Sequence, residues 1–131
     1  MSYLLDTNTC VYAIKRVPDV IDRLRRLSPD DVSVSSVTLA ELWFGARKSN
    51  KPARTRASVD SFLDPIAVIS FDPTAAEDYA EIRFELERSG QPIGERDLLI
   101  ASVARSRGLT VVTHNTREFN RVPALAVEDW V

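Results

Sequence analysis

The stretch Val32-Ser33-Val34-Ser35-Ser36-Val37-Thr38-Leu39-Ala40-Glu41-Leu42-Trp43-Phe44 changes its pattern in the middle. Val32–Ser35 is short and valine-rich, which predicts a strand buried by its neighbours. Val37–Ser49 reads as the helix that follows it. The same pairing recurs outward in both directions. Tyr3–Leu5 predicts a short buried strand. Arg54–Leu63 predicts another helix, with Pro52 placed either to interrupt or to open a first turn. Ala67–Ser70 predicts a third strand. Thr74–Ser89 predicts a helix with Ala75, Tyr79, Ile82 and Leu86 on one stripe and Gly90 as its stop. Leu98–Arg107 predicts a helix closed by Gly108, Thr110–Thr113 a β-branched strand, and Ala126–Val127 a last short strand. Short apolar strands alternating with helices imply an α/β fold, its parallel sheet covered by helices on both faces.

In such folds sites form at the carboxyl ends of the strands. Asp6 lies immediately after the first strand, and Glu41 about one and a half turns into the helix after the second. Asp97 opens the helix that feeds the Thr110–Thr113 strand, and Asn115 follows that strand. The acids stand in apolar surroundings that predict burial: Tyr3-Leu4-Leu5 before Asp6, Val37 to Phe44 around Glu41, Leu98-Leu99-Ile100-Ala101 after Asp97. A buried carboxylate is costly unless it is paired or binds a metal. No lysine or arginine is close in sequence to Asp6, and none lies in the run around Glu41. If the fold gathers the acids, their repulsion calls for a divalent cation. Magnesium and manganese prefer oxygen ligands, so three carboxylates and an amide suit one or two such ions. Thr7 and Thr113 are then supporting groups that orient ligands.

Each position also has a structural reading. Asp6-Thr7-Asn8 is good turn chemistry. Asp97 at a helix start would cap amides and meet the positive end of the dipole. Asn115-Thr116-Arg117-Glu118 has the shape of a capping box. Glu41 fits such a reading least: the positions three and four residues away hold Val37, Thr38, Phe44 and Gly45, which make no solvated face.

With 131 residues and 44% hydrophobic content, residues 1–131 are long enough for one domain with a real core and too short for two. The single cysteine, Cys10, excludes an internal disulfide and a cysteine-rich zinc site, and fits a reducing cytoplasm. Neither a signal peptide nor a run long enough to span a bilayer is legible. A net charge of −2 argues against coating duplex nucleic acid by bulk electrostatics. The basic residues are nevertheless clustered, at Lys15-Arg16, Arg23 to Arg26, Arg47 to Arg56, and Arg117 with Arg121. Those clusters are either solvated helix faces or a local hold on a polyanion. His114 is the only histidine, which excludes RNA cleavage by a histidine acid–base pair. No glycine-rich phosphate loop is present.

Five motifs occur in order: Leu4-Leu5-Asp6-Thr7-Asn8, Ser36 to Leu42, Pro92-Ile93-Gly94-Glu95-Arg96-Asp97-Leu98-Leu99-Ile100-Ala101, Val112 to Phe119, and Arg121 to Trp130. Together they resemble PIN-domain ribonucleases, in particular the VapC toxins of toxin–antitoxin pairs. The resemblance implies a PIN-like three-layer sandwich and a Mg2+- or Mn2+-dependent endoribonuclease with Asp6, Glu41 and Asp97 as its metal site. It implies hydrolysis by a metal-activated water, leaving 5′-phosphate and 3′-hydroxyl ends on a structured RNA such as tRNA or rRNA. Asn115 stands where many PIN domains carry a fourth acid, and Thr113 and Asn115 would support catalysis. The resemblance also implies a homodimer, a VapB-type antitoxin as partner, a cytoplasmic location and no membrane. Trp43 and Phe44 are then either docking residues or core. A metal-dependent phosphomonoesterase and a non-catalytic partner-binding module are the alternatives on the same fold. A receiver-type phospho-switch lacks its second N-terminal acid and a lysine beyond Lys51.

Overall fold

Leu4 and Leu5 are neighbours in the first strand, β1 (Tyr3–Leu5), and pleating sends them to opposite faces of the sheet. Both are fully buried, but in different cores. A helical layer on each face is the consequence. The computed structural model describes residues 2–131.

Five strands align in the order β3-β2-β1-β4-β5, all parallel: β2 (Val32–Ser35), β3 (Ala67–Ile69), β4 (Thr110–Val112) and β5 (Val127–Glu128) join β1. The register pairs Leu5 with Val34 on one side and with Val112 on the other. Leu4 and Val111 face one layer, made by α5 (Pro73–Arg88), α6 (Glu95–Ser106) and α7 (Thr116–Phe119) through Ile82, Leu86, Ile100, Val103 and Phe119. Leu5, Val34 and Val112 face the other, made by α1 (Thr7–Ile14), α2 (Pro18–Arg25), α3 (Ser36–Arg47) and α4 (Pro52–Leu63) through Cys10, Val20, Leu42 and Val59. The sandwich expected from the alternation of elements is therefore present. At its edge, β3 leaves Val68 exposed.

The ends of β1 and β2 match the sequence pattern, and the other elements differ from it by at most three residues at either end. Pro52 opens α4 at its first position, where its missing amide costs nothing. Gly90 ends α5 at φ +71°, a conformation glycine adopts without strain. Residues 7–31 carry no element in the sequence pattern, yet they form α1, α2 and a 3₁₀ turn at Pro29–Asp31. Their apolar faces are short, and packing onto the sheet rather than periodicity makes them helical. The C-terminal Trp130 is buried, edge-on to Tyr3 with ring centroids 5.3 Å apart, and Arg23 of α2 lies over it while pairing with Glu128 at 2.7 Å. That clasp holds α2 to β5. Among the described residues no helix is long and apolar enough to cross a membrane.

Ile82 of α5 is fully buried in the core cluster that also holds Leu4 and Val111. Ile82→Ala is expected to cost about 2–5 kcal/mol, since the helix cannot collapse into the gap. Urea unfolding checks this: the midpoint falls while m stays constant.

Candidate active site

The carboxyl ends of β1, β2 and β4 lie side by side, with β1 between its partners. Connections leave β1 and β2 toward one helical layer and β4 toward the other, which opens a crevice at the switch of strand order. Asp6 is the first residue beyond β1. Its amide donates to Val112 O at 3.0 Å, tying it to β4. Its Oδ1 accepts from Thr9 N at 2.8 Å, so Asp6 is the N-cap of α1 rather than only a turn residue. It is 4% exposed.

Ser35, at the end of β2, plays the same part for α3 and accepts from Thr38 N at 3.1 Å. That cap starts α3 at the sheet edge and brings Glu41 over the end of β1. Thr7 donates to Glu41 Oε1 at 2.6 Å, which orients the carboxylate. The expectation of deep burial fails for Glu41: its side chain is 22% exposed. Apolar neighbours in sequence are not neighbours on one face. Phe44 is 61% exposed, and Trp43 is half-buried, donating to Asp60 Oδ1 at 3.1 Å beneath the Arg56 guanidinium. Phe44 is therefore not core.

Asp97 also differs from its expected place. Gly94 precedes the helix and α6 begins at Glu95, so Asp97 is the third helical residue and does not open it. Its Oδ2 accepts from Asn115 Nδ2 at 2.9 Å. Asn115 shows no side-chain cap on α7. The capping-box reading is corrected accordingly. Both amide protons of Asn115 go to carboxylates, the second to Glu118 Oε2 at 2.7 Å. Glu118 is thus a further acid of this cluster, read from sequence only as a capping partner. Its position, three residues past Asn115, was the available signal. Thr113 is fully buried, and its hydroxyl accepts from Asn115 N at 2.9 Å, fixing the turn that carries the amide. Burial pushes the Asp97 carboxyl up to about 6, helped by Glu118 and the charge of Asp6 and opposed by the Asn115 amide.

Asp6, Thr7, Asn8, Glu41, Arg96 and Asp97 line one cleft of about 400 Å³. The fold thus brings together the expected acids and Thr7. Asn115 joins through Asp97, and Thr113 lies behind Asn115. Arg96 is a residue that sequence reading missed: its guanidinium reaches Glu41 Oε2 at 3.1 Å. Among the described residues, no group of three or more acids, histidines or cysteines is drawn tightly enough to hold a metal ion as it stands. Each carboxylate instead takes a local donor: Thr9 for Asp6, Thr7 and Arg96 for Glu41, Asn115 for Asp97. His114 turns away to Asp129 Oδ2 at 2.9 Å.

Residues 3–125 match the PIN domain model. The chain is 45% identical over 130 residues to the tRNA(fMet)-specific endonuclease VapC of Salmonella typhimurium strain LT2, covering 99% of this chain and 98% of that one. It belongs to the PIN-domain family of VapC-type ribonucleases. Ribonuclease VapC2 of Haemophilus influenzae strain Rd is 42% identical across all of this chain and 99% of its own. Among solved structures, DNA-bound VapBC from Salmonella typhimurium matches with TM-score 0.94 and 44% identity, covering 100% of this chain and 99% of that one. VapBC2 from Rickettsia felis bound to a promoter DNA fragment matches with TM-score 0.93 and 42% identity over the whole of both chains. PIN-domain nucleases as a class depend on divalent metal ions. In this VapC-type domain the donor set fits such an ion, because the acids at the cleft offer hard oxygens and the raised carboxyl of Asp97 would be relieved by a cation.

Proposed function

We propose that this VapC-type chain hydrolyses a phosphodiester of a structured RNA, with transfer RNA the foremost substrate class, using Mg2+ or, in its place, Mn2+. The observation that carries this reading is one cleft lined by Asp6, Glu41 and Asp97 from three separate elements, with Asp97 pushed up to about 6 by burial and neighbouring acids. The name of the Salmonella relative supports transfer RNA as the substrate. The VapBC structures support a VapB-type antitoxin as partner. A homodimer of this chain is part of the same reading, with residues 1–131 as one folded unit.

Asp6 and Asp97 are the principal metal ligands in this proposal, with Glu41 a ligand directly or through water. When bound, the ion supplies a more acidic water and offsets charge on the phosphodiester. Thr7 keeps Glu41 aimed at the cleft through its 2.6 Å hydrogen bond. Thr9 holds Asp6 by Oδ1. Asn115 keeps Asp97 and Glu118 at a fixed separation by donating one proton to each. An amide at position 115 suits that task better than a further acid, which would meet two carboxylates with no proton to offer. Thr113 holds the amide's backbone in place.

The experiment is incubation of total RNA with the purified protein, in manganese or in chelator, followed by mapping of the new 5′ ends. Discrete 5′-phosphate ends that appear only with metal are expected. Cleavage that persists in chelator contradicts the reading.

A further inference from the structure

Arg96 stands at an unusual place for a cation. It is the second residue of α6, where the helix dipole and unpaired amides favour negative charge. It therefore costs something to keep there, and its neighbours show what offsets that cost. The guanidinium pairs with Glu41 Oε2 at 3.1 Å across the cleft that Asp6 and Asp97 also line. Thr7 already occupies Glu41 Oε1. Thr7 thus holds one oxygen of Glu41 and the guanidinium stands at the other, so a metal ion arriving at Oε2 meets a positive charge already there. Thr7 is the shorter contact, is half-buried and stands on α1. Arg96 is the looser: its side chain is 75% exposed against 22% for Glu41. An ion pair this open to water is weak and readily exchanged.

Once displaced, the guanidinium remains at the rim of the same cleft. Its planar fork then matches two oxygens of a phosphate better than any other side chain does. We propose that Arg96 guards Glu41 until a divalent cation claims that carboxylate, and then contacts an RNA phosphate at the cleft. This rests on the metal-dependent ribonuclease reading above. Arg96 is a substrate-binding residue in this scheme and takes no proton.

The test compares the full-length wild type with Arg96→Gln and Arg96→Lys in two measurements that need no turnover. Calorimetric titration with manganese alone reads the guard: Arg96→Gln should bind about three- to tenfold more tightly, because a competing cation is gone. Binding of a mixed transfer RNA fraction, with calcium in place of manganese and the RNA checked for integrity, reads the phosphate contact. For Arg96→Gln the affinity should fall, and the slope of log affinity against log salt should shrink by roughly one unit, the loss of one phosphate contact. Arg96→Lys keeps the charge and should keep the wild-type slope. Arg96→Gln with an unchanged manganese affinity, or with an unchanged salt slope, overturns the proposal while leaving the ribonuclease reading intact. Wild type that takes up no manganese removes the metal reading itself, and this proposal with it.

Discussion

Asp6→Asn and Asp97→Asn are each expected to reduce RNA cleavage by more than the roughly 10- to 100-fold that changes behind a metal site cost. Both substitutions keep shape and remove charge. In Asp6→Asn the side-chain carbonyl oxygen can still accept from Thr9 N, so the cap of α1 survives, because asparagine caps as well as aspartate. In Asp97→Asn the new carbonyl oxygen can still accept from the Asn115 amide. What disappears is a charged oxygen at the cleft, and with it the hold on a divalent cation. Two measurements check this together: cleavage of transfer RNA in manganese, and far-ultraviolet circular dichroism to establish that the fold persists. Folded variants that cleave at the wild-type rate would remove Asp6 and Asp97 from the chemistry.

Below pH 6, at manganese concentrations short of saturation, cleavage should fall by about tenfold per pH unit, because the ion must displace a proton from Asp97. The carboxyl is pushed up to about 6 from its ordinary 3.8, first by burial and then by Glu118 and Asp6. The same shift predicts the opposite trend for stability without metal. A carboxyl raised in the folded state binds more protons there than in the unfolded chain. Its contribution is fully present below about pH 4 and is lost as pH rises through about 6. In chelator, Asp97→Asn should therefore melt higher than wild type at pH 8 and differ least near pH 4. With the carboxylate partly in contact with solvent, a gain of about 1 kcal/mol is reasonable, or roughly 3–5 °C in Tm. Melting curves at both pH values read it. A lower Tm for Asp97→Asn at pH 8 would show that the carboxylate is stabilised where it stands.

Arg105, which lies outside the basic clusters of the sequence, shows how the fold itself takes up a cation. It is 12% exposed and clamps α6 to α5 through Asp78 at 3.1 Å and Glu81 at 3.0 Å, while its guanidinium also donates to Pro123 O. Arg56 and Arg23 are likewise engaged, with Asp60 and Glu128. Part of the basic surface expected to hold a polyanion is structural. Among the described residues, the cation that lines the cleft is Arg96, which belongs to none of the sequence clusters.

Hydropathy and residue type alone determined the alternation of short apolar strands with amphipathic helices, and hence a parallel sheet with Asp6, Glu41 and Asn115 after strand ends. Those are local properties, since periodicity and branching act over a few residues. The helical state of residues 7–31 was not determined there, because α1 and α2 are short and gain their stability from Val20, Cys10 and Ala13 packing on the sheet. Tertiary structure alone decided the pairing of Thr7 with Glu41, 34 positions apart, of Arg96 with Glu41, and of Asn115 with both Asp97 and Glu118. It also decided that Phe44 faces solvent. Which side chains meet across a parallel sheet depends on register and on the angle of each helix to it, and neither is encoded within any one element.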